Sequence, residues 1–530
     1  MNNLVYTHLQ RQSVENGSCE AVCMNDQRLS YADLSYGALS LSSYLYELKN
    51  FEVQECIGLF MPKSPMTVVA IYGVLTAGAA YVPIDIQSPT SRLCHIMQDC
   101  KIKTIITTAK HTDRIVQLNS LLSHKPQIVV LPETLEDHSW QAQRSQFKSF
   151  NPMVRNNPVH SPPRLDVLPE SLAAVLYTSG SSGVPKGVMI SHSAITTFTV
   201  WAASHFDLMP SDRFISHAPF HFDLSLFDLF AAHQAGGTTV LIPNGLSGNP
   251  KAVANLILQQ KITIWQSVPS VLTLLAKYGD LVPGNTHMRH VLFAGEQMPV
   301  ETLKKLINIF TSATFHNVYG ATETNDTFIY SIPNEEKQLP DPLPIGLPLP
   351  YVDFKIVGNK HIAVNDEQEG ELYVRAPTMM KGYRNQKNDA MCQLAADVDT
   401  SLKHNYYRTR DIVKMLPDGN LLFCGRNDDI IKTNGYRVNL LEVERCLQSH
   451  NHLKQVAVIA LPDPILGHKI LAIVVPQAQV HVSVIGLKRF CAEKLAKYAI
   501  PHIFDIHQSS LPTTSSGKID KKQLKERICN

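Results

Sequence analysis

Residues 176–187, LYTSGSSGVPKG, bring three glycines, four serine and threonine hydroxyls and one lysine into a single short segment. Glycines let a backbone approach a ligand closely, hydroxyls and amide N–H groups donate to oxygens, and Lys186 adds a positive charge. The segment therefore has the chemistry of a clamp for polyphosphate. Standing alone, the same residues would serve equally as a Gly/Ser-rich surface turn. They do not form a Walker A loop, because Gly183 and Lys186 do not complete G-x-x-x-x-G-K-[ST] and no helix-forming run follows.

The loop is delivered by a short apolar strand at 173–177, one of several that alternate with helix-like stretches. Apolar runs of strand length fall at 56–61, 104–107, 127–131, 239–242, 262–265 and 290–294. Helical patterns fall at 65–76, 253–260, 271–278 and 300–310. This alternation predicts an α/β fold with layered, largely parallel sheets. A Pro/Asn/Ser-rich passage between Phe147 and Pro169 reads as a surface connector before the loop. A β-rich section begins near 340–350 and runs to about Cys424. Beyond Gly425 come a charged turn, the helix pattern LLEVERCLQ, two strand-like runs (QVAVIAL and ILAIVVP) and a further helix. These place a domain boundary at Asp428, dividing the chain into a large N-terminal part (1–427) and a small α+β part (428–530).

A chain of 530 residues with 44% hydrophobic content fills more than one ordinary domain. Its net charge of +2, without a basic run, argues against a nucleic-acid or anionic-membrane partner. The ten cysteines show neither a C-x-x-C pair nor zinc-ligand spacing with histidine, which suits reduced thiols in a cytoplasmic protein. The N-terminus lacks the basic and apolar regions of a secretory signal. Met66–Ile84 is uncharged, yet it contains Gly73, Gly78 and Pro83 and runs straight into Asp85, so it reads as a buried helix and strand rather than a membrane span.

Further blocks follow the glycine loop in order: FHFDLSLFDLF (220–230), NVYGATETND (317–326), GELYVRAPTMMKGYRN (370–385), YRTRDIVKMLPDGNLLFCGRNDDIIKTNGYRVNLLEVE (407–444) and LPTTSSGKIDKKQL (511–524). Weaker ones are LSYADL (29–34), LTAGAAYVPID (75–85) and YAIP (498–501). Together they resemble the superfamily of acyl- and aryl-CoA synthetases, luciferases and nonribosomal peptide synthetase adenylation domains, and most of all its stand-alone amino acid adenylation domains. The resemblance covers nearly the whole chain. It implies a large domain that binds ATP and a carboxylic acid, and a small mobile domain that swings between two reactions: attack of the carboxylate on the α-phosphate of ATP, then attack of a thiol on the adenylate.

The resemblance also assigns roles. Thr178, Ser179, Gly180, Ser181, Ser182, Gly183 and Lys186 would hold the β- and γ-phosphates. Thr322, after Gly320, would reach the α-phosphate and Glu323 would ligate Mg2+. Tyr319 would lie against adenine, with Ala321 where most relatives carry proline. Asp411 would accept both ribose hydroxyls, and Arg410 stands where the usual motif has glycine. If that position needs a positive φ, arginine is strained there by about 1 kcal/mol. Lys518, in SSGKID, would be the catalytic ammonium between carboxylate and α-phosphate. Asp428 would be the hinge, Arg426 would contact nucleotide or stabilise the hinge, and 432–437 (KTNGYR) would form a loop that enters the site for the thiol step.

Asp223, in FHFDLS, occupies the place that pairs with a substrate α-ammonium in amino-acid-activating members. A buried carboxylate facing an uncharged acid would lack a partner, at a cost of several kcal/mol, so a free amino acid is the favoured substrate. Counting from these anchors gives Leu224, Phe227, Ser270, Leu292, Ala294, Val318, Asp326 and Thr327 as the pocket lining. Asp326 would bind a second amino group or face water. The chain holds no carrier motif of its own, so the acceptor would be the phosphopantetheine thiol of a separate carrier protein. An acyl- or aryl-CoA synthetase and a catalytically silent binding protein are the alternative readings.

Overall fold

The computed structural model describes residues 4–49, 51–135, 147–155, 167–179, 184–243, 245–332, 339–358, 368–385, 406–513 and 519–529. Among them, two large sheets dominate. One orders its strands Lys148–Ser149, Gln127–Leu131, Thr104–Thr108, Cys56–Phe60, Ala80–Pro83, Leu172–Thr178 and Lys186–Ser191. The other runs Leu347–Pro348, Asn325–Ser331, Thr314–Ala321, His290–Ala294, Ile264–Ser267, Arg213–Ser216, Thr238–Leu241, Glu20–Met24 and Gln27–Ser30.

Between the sheets lies the largest apolar core, where Val22 and Leu241 of one sheet join Ile57, Ile106 and Leu176 of the other. Two helices fill the gap. Tyr31–Glu47 starts on a capping box, in which Ser30 and Asp33 satisfy each other's backbone N–H groups. Pro65–Thr76 starts on Ser64, whose hydroxyl accepts the Thr67 N–H at 3.2 Å. Every residue of this second helix is buried, as is the strand Ala80–Pro83 that follows it. An apolar surface all around the helix is thus satisfied by protein. No described helix is long and apolar enough to cross a membrane.

The expected runs at 127–131, 290–294 and 65–76 coincide with elements of the structure, whereas the run at 262–265 becomes a strand at Ile264–Ser267. The sheets are less uniformly parallel than the alternation suggests. Lys186–Ser191 runs antiparallel to Leu172–Thr178. Thr314–Ala321 and Asn325–Ser331 form a second antiparallel pair, with a register shift between Tyr319 and Gly320.

The β-rich section is a four-stranded antiparallel sheet of Asp353–Val357, Glu369–Arg375, Tyr407–Met415 and Leu421–Arg426. A two-stranded hairpin, Ile430–Thr433 with Tyr436–Asn439, follows at once. The last sheet, Leu453–Asp463, Gly467–Pro476 and Ile503–Ile506, is covered on one face by the helices Leu440–Gln448 and Val484–Ala492. Lys521–Cys529 contributes Leu524 to a second cluster with Ala457, Ile459 and Ile473.

Candidate active site

The parallel strands Ile264–Ser267 and His290–Ala294 end at one cavity, the usual place for a ligand in an open α/β sheet. Thr178, Ser179, Asp223, Leu224, Phe227, Gln266, Ala294, Gly295, Gly320, Thr322, Asp326, Asp411 and Arg426 wall it, together with Lys432, Gly435, Tyr436, Arg437 and Tyr498 from the C-terminal region.

Asp223 sits in a turn just beyond the strand Arg213–Ser216. Lys63 anchors the start of that turn by donating to the carbonyls of Ser216 (2.7 Å) and Ala218 (2.6 Å). Burial pushes the Lys63 ammonium down and the facing Asp228 carboxyl up. Lys63 was missed from sequence; its one signal is a lysine three residues beyond the buried strand Cys56–Phe60. Asp223 accepts the Leu224 N–H at 2.9 Å and the Thr322 hydroxyl. Burial raises its pKa, opposed by the Thr322 hydroxyl and the Lys432 charge. It is a carboxylate that a cationic group would stabilise.

Gly320 carries the wall across to Asp326. A Cβ there would meet the Asn325 carbonyl oxygen at 2.1 Å, so the bulged pairing of these strands tolerates only glycine. Asp326 consequently faces the cavity and accepts from Gln266 Nε2 at 3.4 Å. Burial, and then repulsion from Asp223, lifts Asp326 to about 7.

On the opposite side Asp411 accepts the Tyr319 hydroxyl and the Arg426 guanidinium. Arg426 also grips Asp428 through two N–H groups, each at 2.9 Å. Arg410 has φ +62°, the left-handed conformation that glycine would adopt freely.

The hairpin 430–439 closes the cavity. Its tip residue Gly435 has φ +78° and donates its N–H to Glu296 at 2.6 Å, and a Cβ would lie 2.3 Å from Val268. Arg437 donates to both carboxylate oxygens of Glu323, at 3.0 and 3.2 Å, while its carbonyl accepts the Ser179 hydroxyl at 2.6 Å. Tyr383 donates to Glu323 as well, at 2.7 Å, and the Lys186 ammonium lies 4.7 Å from the centre of the Tyr383 ring. Burial works against the Glu323 charge, but Arg437 and Tyr383 outweigh it and hold the carboxyl below its ordinary range. Tyr436 stacks on Tyr498, with ring centres 4.1 Å apart.

Not every residue expected in the pocket reaches it. Leu292, Val318 and Thr327 are buried behind the wall, and the Thr327 hydroxyl donates to the Tyr319 carbonyl at 3.1 Å. Ser270 lies in the first turn of helix Pro269–Tyr278, where its N–H donates to Glu296. Gln266, at the end of the preceding strand, supplies the contact instead. Tyr319 buries its ring beside Phe328 and presents its hydroxyl to Asp411. Gly180, Ser181, Ser182, Gly183 and Lys518 lie outside the described residues. On either side of Lys518, Thr513 and Ile519 pair as a β-bridge, and Lys521 meets Glu444 at 2.8 Å.

The cavity therefore offers carboxylates for cations at one end and guanidinium groups at the other. Arg437 Nε is buried there without an acceptor, as suits an anionic ligand. Glu323 is a single buried carboxylate, fitting a Mg2+ ion held mainly by phosphate and water oxygens, once Arg437 moves off it.

Residues 9–384 match the model of the AMP-binding enzyme family, and residues 442–518 match that of the AMP-binding enzyme C-terminal domain. The chain belongs to the AMP-binding enzyme family. Among known members, an L-proline–[L-prolyl-carrier protein] ligase of Pseudomonas fluorescens is 32% identical over 93% of this chain and 94% of its own length. Zwittermicin A synthase ZmaJ of Bacillus cereus is 29% identical, covering 99% of this chain and 95% of its own. The fold matches the Vibrio cholerae adenylation domain AlmE, solved in complex with glycyl-adenosine-5′-phosphate. The TM-score is 0.83 at 20% identity, over 100% of this chain and 98% of the other.

Proposed function

We propose that this chain joins the carboxylate of a free amino acid to ATP, forming an aminoacyl adenylate and releasing pyrophosphate, and then passes the aminoacyl group to the phosphopantetheine thiol of a separate carrier protein. The observation that carries this reading is Asp223. It is a half-buried carboxylate pinned by Thr322 in the same cavity as Asp411 and Arg426. A fatty or aromatic acid would leave it without a cation, whereas an α-ammonium completes it. Carrier-protein ligation by the similar Pseudomonas protein supports the second step.

In the first step Asp223 orients the amino acid and Asp411 receives the ribose hydroxyls. The glycine loop with Lys186 receives the departing phosphates, and Lys518 offsets the charge that develops between carboxylate and α-phosphate. Glu323 would hold Mg2+, which supplies charge neutralisation on the phosphates. In the second step the hairpin carrying Gly435 and Arg437 occupies the site, the arrangement described above, and Arg437 takes over Glu323. The two steps then require the part after Asp428 to turn about that residue, whose carboxylate is gripped by Arg426. A cytoplasmic setting belongs to the same proposal, and the described cysteines are free thiols.

Pyrophosphate release across a panel of proteinogenic and nonproteinogenic amino acids, with fatty and benzoic acids as controls, tests the reading. Release with amino acids alone is expected. Release with only the controls would identify an acyl- or aryl-CoA synthetase instead.

A further inference from the structure

The pocket end opposite Asp411 contains acceptors in excess. Gln266, 1% exposed, donates Nε2 to Asp326 Oδ2 at 3.4 Å, which leaves its own Oε1 buried without a donor. Asp326 and Gln266 thus present a carboxylate and an amide oxygen to the cavity, beside but distinct from Asp223. The facing hydroxyl of Tyr351 is also without a partner. Two carboxylates in one cavity repel each other, and that repulsion adds to burial in raising Asp326. Lys432, on the docked hairpin, is a cation that faces both. When the hairpin leaves for the adenylation step, that charge leaves with it. A side chain made only of carbon would then bury Asp326 and Gln266 Oε1 against apolar surface, which buried acceptors tolerate poorly.

We propose that the substrate is a diamino acid with a short side chain, its α-ammonium on Asp223 and its second ammonium held between Asp326 and Gln266 Oε1. This rests on the amino-acid reading above and narrows it. An ammonium carries three N–H donors, enough to serve both Asp326 and Gln266. The mutual repulsion of the two carboxylates, which places their charges near each other, favours a short side chain, with one to three carbons between Cα and the second amine.

The test is ATP–pyrophosphate exchange by the full chain with 2,3-diaminopropionate, 2,4-diaminobutyrate, ornithine and lysine. Alanine, 2-aminobutyrate, norvaline and proline are the neutral comparators. One of the short diamino acids should exceed its neutral counterpart in kcat/KM by at least about a hundredfold. Asp326→Asn, which keeps shape and removes charge, should reverse that preference mainly through the KM for the diamino acid. The same variant should lose the thermal shift that this diamino acid gives wild type without ATP. Preference for proline or another neutral amino acid in wild type would overturn the inference and leave the amino-acid reading intact. So would an Asp326→Asn variant with undiminished diamino preference. Exchange with no amino acid at all would overturn both. If Asp326→Asn fails to fold, the wild-type panel alone decides.

Discussion

Arg437 of the C-terminal hairpin holds Glu323, in the turn after the strand Thr314–Ala321, through one guanidinium nitrogen that donates to both carboxylate oxygens at 3.0 and 3.2 Å, and Glu323 is only 1% exposed. Withdrawing Arg437 from a buried carboxylate costs about 3–5 kcal/mol unless another cation replaces it. Under the proposed function metal-bound nucleotide is such a replacement, which would couple occupancy of the site to the position of the hairpin.

Arg437→Gln should therefore favour the undocked arrangement. Loading of a holo carrier protein is expected to fall about tenfold or more, with amino-acid-dependent pyrophosphate exchange kept within about threefold of wild type. Parallel losses in the two assays would show that Arg437 serves both steps alike.

Gly435 leaves no room for a side chain, since a Cβ would come within 2.3 Å of Val268. Gly435→Ala should slow carrier loading about tenfold or more through this clash and the positive φ. Adding Val268→Ala removes the obstructing methyls and should recover part of the loss. No recovery in the double variant would mean the hairpin does not dock against Val268 during transfer.

The raised Asp326 pKa gives a signed pH dependence. Burial first, and then Asp223, lift it to about 7 in the folded chain, above the ordinary carboxylate value of about 4. The stability contributed by its proton is complete below about pH 4 and is lost as pH rises through about 7. Asp326→Asn does not titrate. Its Tm should thus gain on wild type as pH rises from 5 to 8, by on the order of 1–3 °C, measured without substrate. A gap that stays constant or narrows with pH would contradict this.

Arg410 adopts φ +62° between Thr409 and Asp411. Arg410→Gly should relieve about 1 kcal/mol of strain, offset in part by the freedom glycine gains when unfolded. A small rise in Tm with unaltered exchange is expected. A clear loss of stability would show that packing of the arginine side chain outweighs its backbone cost.

Much of this architecture is legible in the sequence because it depends on local pattern. The wholly apolar run at 65–76 and the strand at 290–294 follow from neighbours along the chain. Asp223, Thr322 and Asp411, singled out from dense motifs, meet in one cavity. Counting fails where a strand passes into a helix. Ser270 and Gln266 are four residues apart in sequence, but only the one at the strand end faces the cavity. Contacts across long stretches of chain carry no local signal at all. Gly435 against Val268, Arg437 with Glu323 and the Lys63 anchor beneath the Asp223 turn needed the fold itself.

Amino-acid-dependent ATP–pyrophosphate exchange, measured side by side for wild type and Lys518→Ala, probes the adenylate-forming chemistry most directly. Wild type should exchange label only when an amino acid is present, and Lys518→Ala should exchange at least about a hundredfold more slowly while still folding. Label exchanged equally without any amino acid, or equally fast by the variant, would contradict the account.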